Sequence, residues 1–345
     1  MSDQSQQSGR HSVESEEIFN MRIALLTLLL LVICPSLLHA QDVIPEADSL
    51  RFQKFLTMVN ADREQSYVTV GSGIGNLEPL ILEAKFSPSY FFTRNKKLWA
   101  LMINPQVQIR ILNEKSLPIR NPSYRVYGTF YQELKFWKES FLGRIFYENA
   151  LWHASFAHHS NGQSGDFFEN DSTAEVNFNS GDFSTDYLEL GFSTYRVKEI
   201  GRNYFSIRSF KATLEYHPLA WYSDGLKDLY GSYRIFADMG FVGPQKNLNR
   251  VKLMKWLQRS SLEIKLGWIF GEMGGASPVD ASTRLIVDAY YKYYPIWFDE
   301  IAFFVRFYRG QDYYNVQFAN DELTNLSFGI TSNIMNFKQA VKLFR

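Results

Sequence analysis

The sequence is short of thiols, of net charge and of long apolar runs. A single cysteine, Cys34, occurs in 345 residues, and it lies in a segment that we expect to be removed on export. The mature chain then has neither a thiol nor a disulfide, which excludes catalysis by cysteine. Lys and Arg total 36 and Asp and Glu total 36, so the formal charge is zero and gives no electrostatic case for binding nucleic acid.

The first 40 residues have the pattern of an export signal preceded by an extension. A positive charge follows Met21, the apolar run 23–33 comes next, and Ala40 offers a small residue at a cleavage point. The apolar run is too short to span a membrane as a helix. Residues 1–20 are hydrophilic, unlike the start of a signal, so we expect translation to begin at Met21. The mature chain is expected to begin near Gln41, outside the inner membrane.

After residue 40 no apolar run reaches the length of a membrane-spanning helix. Residues 41–65 are polar and irregular, and we interpret them as a periplasmic segment before a single domain over 66–345. That domain divides into segments of roughly ten residues with alternating polarity and turn-forming residues between them, as in a transmembrane barrel. The predicted strands, an even number as such barrels require, span 67–71, 78–91, 98–111, 124–137, 143–159, 184–197, 203–217, 229–241, 258–270, 284–294, 300–309 and 323–334.

The strand over 258–270 illustrates the alternation. One of its faces is wholly apolar from Leu262 to Phe270, whereas the other carries Glu263 and Lys265. An apolar face toward lipid and a charged face toward a lumen are typical of a membrane barrel. The alternative is a periplasmic sandwich or lipocalin-like barrel with the apolar face inside, but charges at mid-strand and aromatics at strand ends argue against it. The predicted fold is an all-β, twelve-stranded antiparallel transmembrane β-barrel.

A candidate nucleophile and base lie near the middle of the chain. His158 and Ser160 share one face of a strand, because strand side chains alternate with a period of two. Acyl transfer by serine needs such a base and a third group that orients it. Asp186, at the start of the next strand, is the predicted third group, and Asn179 in the loop is the alternative. His159 and the other histidine of the opposite face, His153, are interpreted as polar lining of the lumen.

The stretch His158-His159-Ser160-Asn161-Gly162-Gln163-Ser164 resembles the active-site signature of the outer-membrane phospholipase A family. The similarity continues in the loop 113–120, followed by Tyr124, and in the final strands from Tyr308 to Phe337. It covers about 66–337. The resemblance implies a twelve-stranded barrel that hydrolyses membrane phospholipids on its lipid-facing wall and is active as a calcium-dependent homodimer.

Carried over by position, the resemblance implies a role for each residue of the motif. Ser160 becomes the nucleophile, His158 the general base and the Gly162 amide the oxyanion donor. Calcium is implied at Ser116 and at Gln163 through its carbonyl, and Asp182 is our choice for the last ligand, because the loop 161–183 is longer than the family's. The chain departs from the family in two other respects. Asp186 stands where the best-known members have asparagine, and Gln163 replaces an arginine.

The expected function is therefore calcium-dependent hydrolysis of acyl esters of phospholipids and lysophospholipids in a Gram-negative outer membrane. A lipid A deacylase is the alternative within the same chemistry, because a smaller barrel family also uses a His-x-Ser-Asn motif. Twelve strands rather than eight argue against it. A barrel without catalysis, resembling a porin, is the alternative from another class.

Overall fold

The computed structural model describes residues 46–94, 97–169, 175–199, 205–223, 225–242, 259–295, 297–298, 301–318 and 321–332. The predicted export signal and Phe337 lie outside this range. Among the described residues, none of the helices is both long and apolar enough to cross a membrane.

The described chain is almost entirely β-structure. Its strands are β1 (Tyr67–Thr69), β2 (Ile74–Gly75), β3 (Leu80–Phe86), β4 (Tyr90–Arg94), β5 (Lys97–Leu112), β6 (Ser123–Glu133), β7 (Asn149–Ser160), β8 (Ser184–Glu199), β9 (Phe205–Tyr216), β10 (Tyr233–Val242), β11 (Ser260–Phe270), β12 (Leu285–Tyr293), β13 (Ile301–Gln311) and β14 (Glu322–Ser332). The α-helices are α1 (Glu46–Ala61), α2 (Phe141–Ile145) and α3 (Ala281–Arg284).

These strands form one antiparallel sheet that closes into a barrel. β1 pairs with β3 on one side and with β14 on the other, which joins the first strand to the last. β1 and β2 both pair with β14, so these two short strands share one position in the wall. β3 and β4 likewise share one position, because both pair with β5. The fourteen strands therefore make a twelve-stranded antiparallel barrel, which confirms the predicted fold.

The predicted strands differ from the observed ones most in two segments, and by four residues at the end of 124–137 and at the start of 229–241. The segment 78–91 is split into β3 and β4 around Pro88, which has no N–H to donate to a neighbouring strand. The segment 143–159 begins as a strand only at Asn149, because α2 precedes it. Ser140 precedes that helix and caps its first turn, since its Oγ accepts a hydrogen bond from the Gly143 N–H at 3.0 Å.

The wall of the barrel is apolar outside and charged inside. On the outer face of β11, Leu262 and Leu266 are exposed. On the inner face, Glu263 forms an ion pair of 2.8 Å with Lys292 of β12. This arrangement is the reverse of that in a soluble protein and fits a wall that faces lipid. The lumen can supply water and opposite charges to ionised side chains, whereas a bilayer cannot.

The segment 41–65 was predicted to be irregular, but its described part contains α1, which occupies the lumen at one end. We call this the plug end, and the opposite end, where β7 meets the loop 161–183, the loop end. The buried side chains of α1 pack against residues of six strands: Phe52, Phe55, Leu56, Met58 and Val59 against Ala100, Met102, Tyr131, Leu151, Tyr195, Val197, Ile207 and Val242. Asp62, just after the helix, accepts hydrogen bonds from Tyr131 Oη at 2.9 Å and Lys211 Nζ at 2.8 Å.

We expect the packing of α1 to contribute strongly to stability. Phe55 is fully buried within the plug. Phe55→Ala should lower the free energy of unfolding by about 3–5 kcal/mol, because it removes a buried ring and leaves a cavity. Urea unfolding followed by tryptophan fluorescence measures the change. Gln53→Ala, at an exposed position of the same helix, should stay within about 0.5 kcal/mol of the unmodified protein. Equal losses in the two variants would contradict the plug.

Beyond α1 the lumen holds a cavity of about 380 Å³. Both signs of charge line it, including Arg125, Glu189, Lys211, Asp238 and Lys265. The interior is therefore apolar where α1 packs and polar toward the loop end.

Candidate active site

The alternation of β7 gives the candidate catalytic residues their direction. His153, Ser155, Ala157 and His159 are buried toward the lumen, whereas the intervening side chains are partly exposed on the outer wall. His158 and Ser160 are in this outer row, as the sequence pattern predicts. On the inner face His159 Nε2 lies 2.9 Å from Ser123 Oγ, so His159 belongs to the polar lining of the lumen.

His158 and Asp186 form a hydrogen-bonded pair on the outer wall. The antiparallel register of β7 and β8 sets them directly opposite each other. His158 Nδ1 lies 2.7 Å from Asp186 Oδ1, and the side chains are 44% and 4% exposed respectively. The carboxylate is thus hidden while the imidazole remains accessible. A carboxylate on Nδ1 fixes the ring orientation that leaves Nε2 for a nucleophile.

Asn179, the alternative third group, lies elsewhere in the loop. It is exposed, and its backbone carbonyl accepts a hydrogen bond from Asn121 Nδ2 at 3.2 Å. The structure therefore brings Asp186, rather than Asn179, to His158.

Ser160 ends β7 at the rim of the loop end. Its partners in register are Tyr124 on β6 and Ser184 on β8. Gly162 follows with φ of 70°, a backbone conformation that favours glycine. A Cβ at this position would come within 2.7 Å of the Tyr124 ring. Position 162 is therefore restricted to glycine both by its backbone conformation and by the Tyr124 ring beside it.

Asn161 holds this turn in place, a role that sequence reasoning did not assign. It is fully buried. Its Nδ2 donates to the carbonyl of Gly181 at 2.9 Å, and its Oδ1 accepts from the amides of Phe183 at 3.2 Å and Gln163 at 3.3 Å. The bond to an amide two residues on is a recognised turn preference of asparagine, which is the signal that the sequence offered.

The predicted calcium ligands are oxygen donors of two loops at the loop end. Ser116 is exposed between β5 and β6, with φ of 71°. Gln163 and Asp182 are partly buried near the two ends of the loop 161–183, which meet where the Asp182 amide donates to the Gly165 carbonyl at 2.9 Å. Among the described residues no cluster of three or more acidic, histidine or cysteine side chains could hold a metal ion.

A buried polar network lies on the lumen side of Asp186. Thr185 Oγ1 is 3.0 Å from His217 Nδ1, and Arg234 donates to Glu215 at 2.7 Å. Burial and the Arg234 charge lower the pKa of His217, just beyond the end of β9, to about 4. The ring is therefore neutral near pH 7, and it packs against the inner side of the strand that carries Asp186 outside.

Neither the protein-family models nor the curated protein sequences contain a match to this chain. Among solved structures, outer membrane phospholipase A from Escherichia coli is similar with a TM-score of 0.48 and 13% identity, covering 79% of this chain and 93% of that one. The calcium-bound outer membrane phospholipase dimer from Salmonella typhi gives a TM-score of 0.49 at 13% identity, covering 79% and 91%. A mutant porin from Rh. blastica gives 0.27 at 9% identity, covering 78% and 98%.

Proposed function

We propose that this chain is an outer-membrane hydrolase that cleaves acyl esters of phospholipids and lysophospholipids. Ser160 acts as the nucleophile, His158 as the general base, Asp186 as the group that orients His158, and the Gly162 amide as an oxyanion donor. The observation that carries the proposal is the hydrogen bond of 2.7 Å between His158 and Asp186 on the lipid-facing wall. Polar groups on a wall that faces lipid are costly to the fold, so a carboxylate paired with an imidazole there points to a functional role.

The proposed reaction follows from the chemistry of these groups. Ser160 Oγ attacks the ester carbonyl carbon as its proton passes to His158 Nε2, and the tetrahedral oxyanion is held by the Gly162 amide. The imidazolium then returns the proton to the departing alcohol as the ester bond breaks. Water then attacks the acyl-serine as its proton passes to His158 Nε2, and the fatty acid is released as the proton returns to Ser160 Oγ. Because His158 and Ser160 are at the rim, lipid can approach laterally while water reaches them from the loop end.

Calcium is proposed as the cofactor, with the active form a homodimer. The Ser116 hydroxyl, the Gln163 carbonyl and the Asp182 carboxylate are hard oxygen donors of the kind that calcium prefers. With only one carboxylate among them, the affinity is expected to be low. A bound calcium ion would add positive charge beside the developing oxyanion.

Lipid hydrolysis by the refolded full chain, with and without calcium, tests the proposal. We expect release of fatty acid from mixed detergent–phospholipid micelles in about millimolar calcium, and a loss of about a hundredfold or more in excess chelator. Ser116→Ala should raise the calcium concentration needed for half-maximal activity. Ser164→Ala, at an exposed serine of the other loop, should leave it unchanged. Cross-linking at the same calcium concentrations reports the dimer.

Activity that is unchanged in chelator would remove the metal from the proposal, and no lipid hydrolysis under any condition would remove the hydrolase. An open porin is disfavoured on separate grounds, since α1 occupies the lumen at the plug end. Lipid A deacylation is tested by the same assay with lipid A as substrate.

A further inference from the structure

After β9 the chain forms a short 3-10 helix, Leu219–Trp221, and then returns to β8 beside Asp186. It rejoins the edge of β8 where Tyr222 forms an antiparallel bridge with Thr185. In that register the neighbour of Asp186 is Trp221, on the side of β8 away from His158. A residue of β7, a residue of β8 and the last residue of the 3-10 helix Leu219–Trp221 thus place an imidazole, a carboxylate and an indole in succession along the outer wall.

The indole of Trp221 reaches across β8. Its ring contacts that of Phe156 on β7 edge-on, with centroids 6.1 Å apart and planes at 76°. Phe156 is on the outer face two residues before His158, so the indole passes over the outer surface next to Asp186. Trp221 is itself buried, being only 4% exposed. Asp186, its neighbour in register, is likewise buried, being only 3% exposed although it belongs to the outer row of β8.

The cover matters because Asp186 is a charged group on the outer wall. An exposed carboxylate would be screened by water and would compete for the ammonium headgroups of lipids and for metal cations. Without water, its attraction to an imidazolium is stronger. A buried charge must be paired, and His158 supplies that pairing at 2.7 Å.

We propose that Trp221 is a positioning residue that covers the Asp186 carboxylate against water and cations and so keeps it on His158. This inference rests on the proposed hydrolase function. The indole Nε1 is buried and has no hydrogen-bond partner among the described residues, so the shape of the ring provides the cover. Trp221→Phe should therefore preserve it, and Trp221→Ala should remove it.

Chemical labelling tests the cover without any need for catalysis. The refolded full chain is treated with a water-soluble carbodiimide and glycine ethyl ester, and modification of Asp186 is followed by mass spectrometry. We expect Asp186 to be protected in the unmodified protein and in Trp221→Phe. In Trp221→Ala its modification should be about tenfold faster, because local protection is lost.

A matched control is available at the plug end. Trp137 is likewise buried on the outer wall, with its ring centroid 5.9 Å from that of Phe192. Trp137→Ala removes a comparable buried indole far from the site and should leave the labelling of Asp186 and the value of kcat unchanged.

A double-mutant cycle tests the effect on the reaction. With Asp186 present, Trp221→Ala should lower kcat by about tenfold, with little change in KM for a short-chain ester. In the Asp186→Asn background the same substitution should cost about twofold or less, because a neutral amide needs no seal. A tryptophan that only supports the fold would cost the same in both backgrounds.

The outcomes separate the two proposals. Protection of Asp186 in Trp221→Ala, or equal kcat losses in the two backgrounds, would overturn this inference. Failure of the unmodified protein to hydrolyse lipid would overturn the proposed function, whatever the labelling pattern. If Trp221→Ala does not refold, Trp221→Leu, which leaves most of the ring area uncovered, provides the same comparison.

Discussion

Replacing Ser160 with alanine is expected to lower kcat by about a thousandfold or more, because no other group can then form the acyl intermediate. His158→Ala should cost about as much. The double substitution should be scarcely worse than either single one, because residues that act as a unit do not contribute additively. Fatty-acid release from micelles, measured over a range of protein concentrations, gives these rates.

The inner face of the same strand provides the control. Ser155 lies in the lumen, where its Oγ is 2.9 Å from Thr129 Oγ1. Ser155→Ala removes a hydroxyl from β7 without touching the outer wall, so its kcat should match that of the unmodified protein. All variants should keep the heat-dependent shift in electrophoretic mobility of a folded barrel. Full activity in Ser160→Ala or His158→Ala would remove the residue concerned from the mechanism.

The second large effect is expected at Asp186. Asp186→Ala should lower kcat by about a hundredfold, because His158 loses the group that orients its ring and compensates its charge. Asp186→Asn should stay within about tenfold of the unmodified protein, because an amide oxygen can accept the same hydrogen bond from Nδ1. The same assay measures kcat for both variants. The ratio of the two kcat values gives the contribution of orienting the His158 ring, because both variants lack the negative charge.

Asn179 supplies the matched comparison for Asp186. It is exposed in the loop and bonded through its backbone carbonyl, so Asn179→Ala should have full activity. If Asn179→Ala were inactive while Asp186→Ala was active, the pairing of His158 with Asp186 would have no role in the reaction.

The sequence predicted the barrel wall well because its information is local. In β11 the side chains alternate between lipid and lumen, so the charge of Lys265 identifies the inner face from the sequence of that strand alone. The structure then places Lys265 opposite Asp238 and Asp288 in register. The same alternation oriented His158 and Ser160 correctly. The breaks between strands were predicted less accurately, because the division at Pro88 and the helix before Asn149 depend on single residues.

The helix α1 was missed although its pattern was present. Phe52, Phe55, Leu56 and Val59 have the spacing of one helical face, but the polar residues around them dominate the composition of 41–65. A helix so short and polar gains its stability from packing, and its binding site is assembled from strands far along the chain. That site exists only once the barrel has closed.

The position of Trp221 could not have been predicted for a similar reason. Its neighbour in register, Asp186, is on β8 and distant in sequence, and the short 3-10 helix that aligns them follows no pattern of alternating polarity. The contacts of Asn161 likewise join two segments some twenty residues apart. Local chemistry therefore identified the reactive groups, whereas the side chains that hold and cover them required the folded chain.

Asn161 also bears on how this loop can change in evolution or by engineering. Its side chain joins the start of the loop directly to Gly181 and Phe183, so the two ends are held together whatever lies between. Length and composition can then vary in the middle of the loop without moving Ser160, much as a domain can be inserted where two chain ends already meet. The segment is thus a natural place to graft a recognition sequence or a reporter peptide beside a lipid-facing serine.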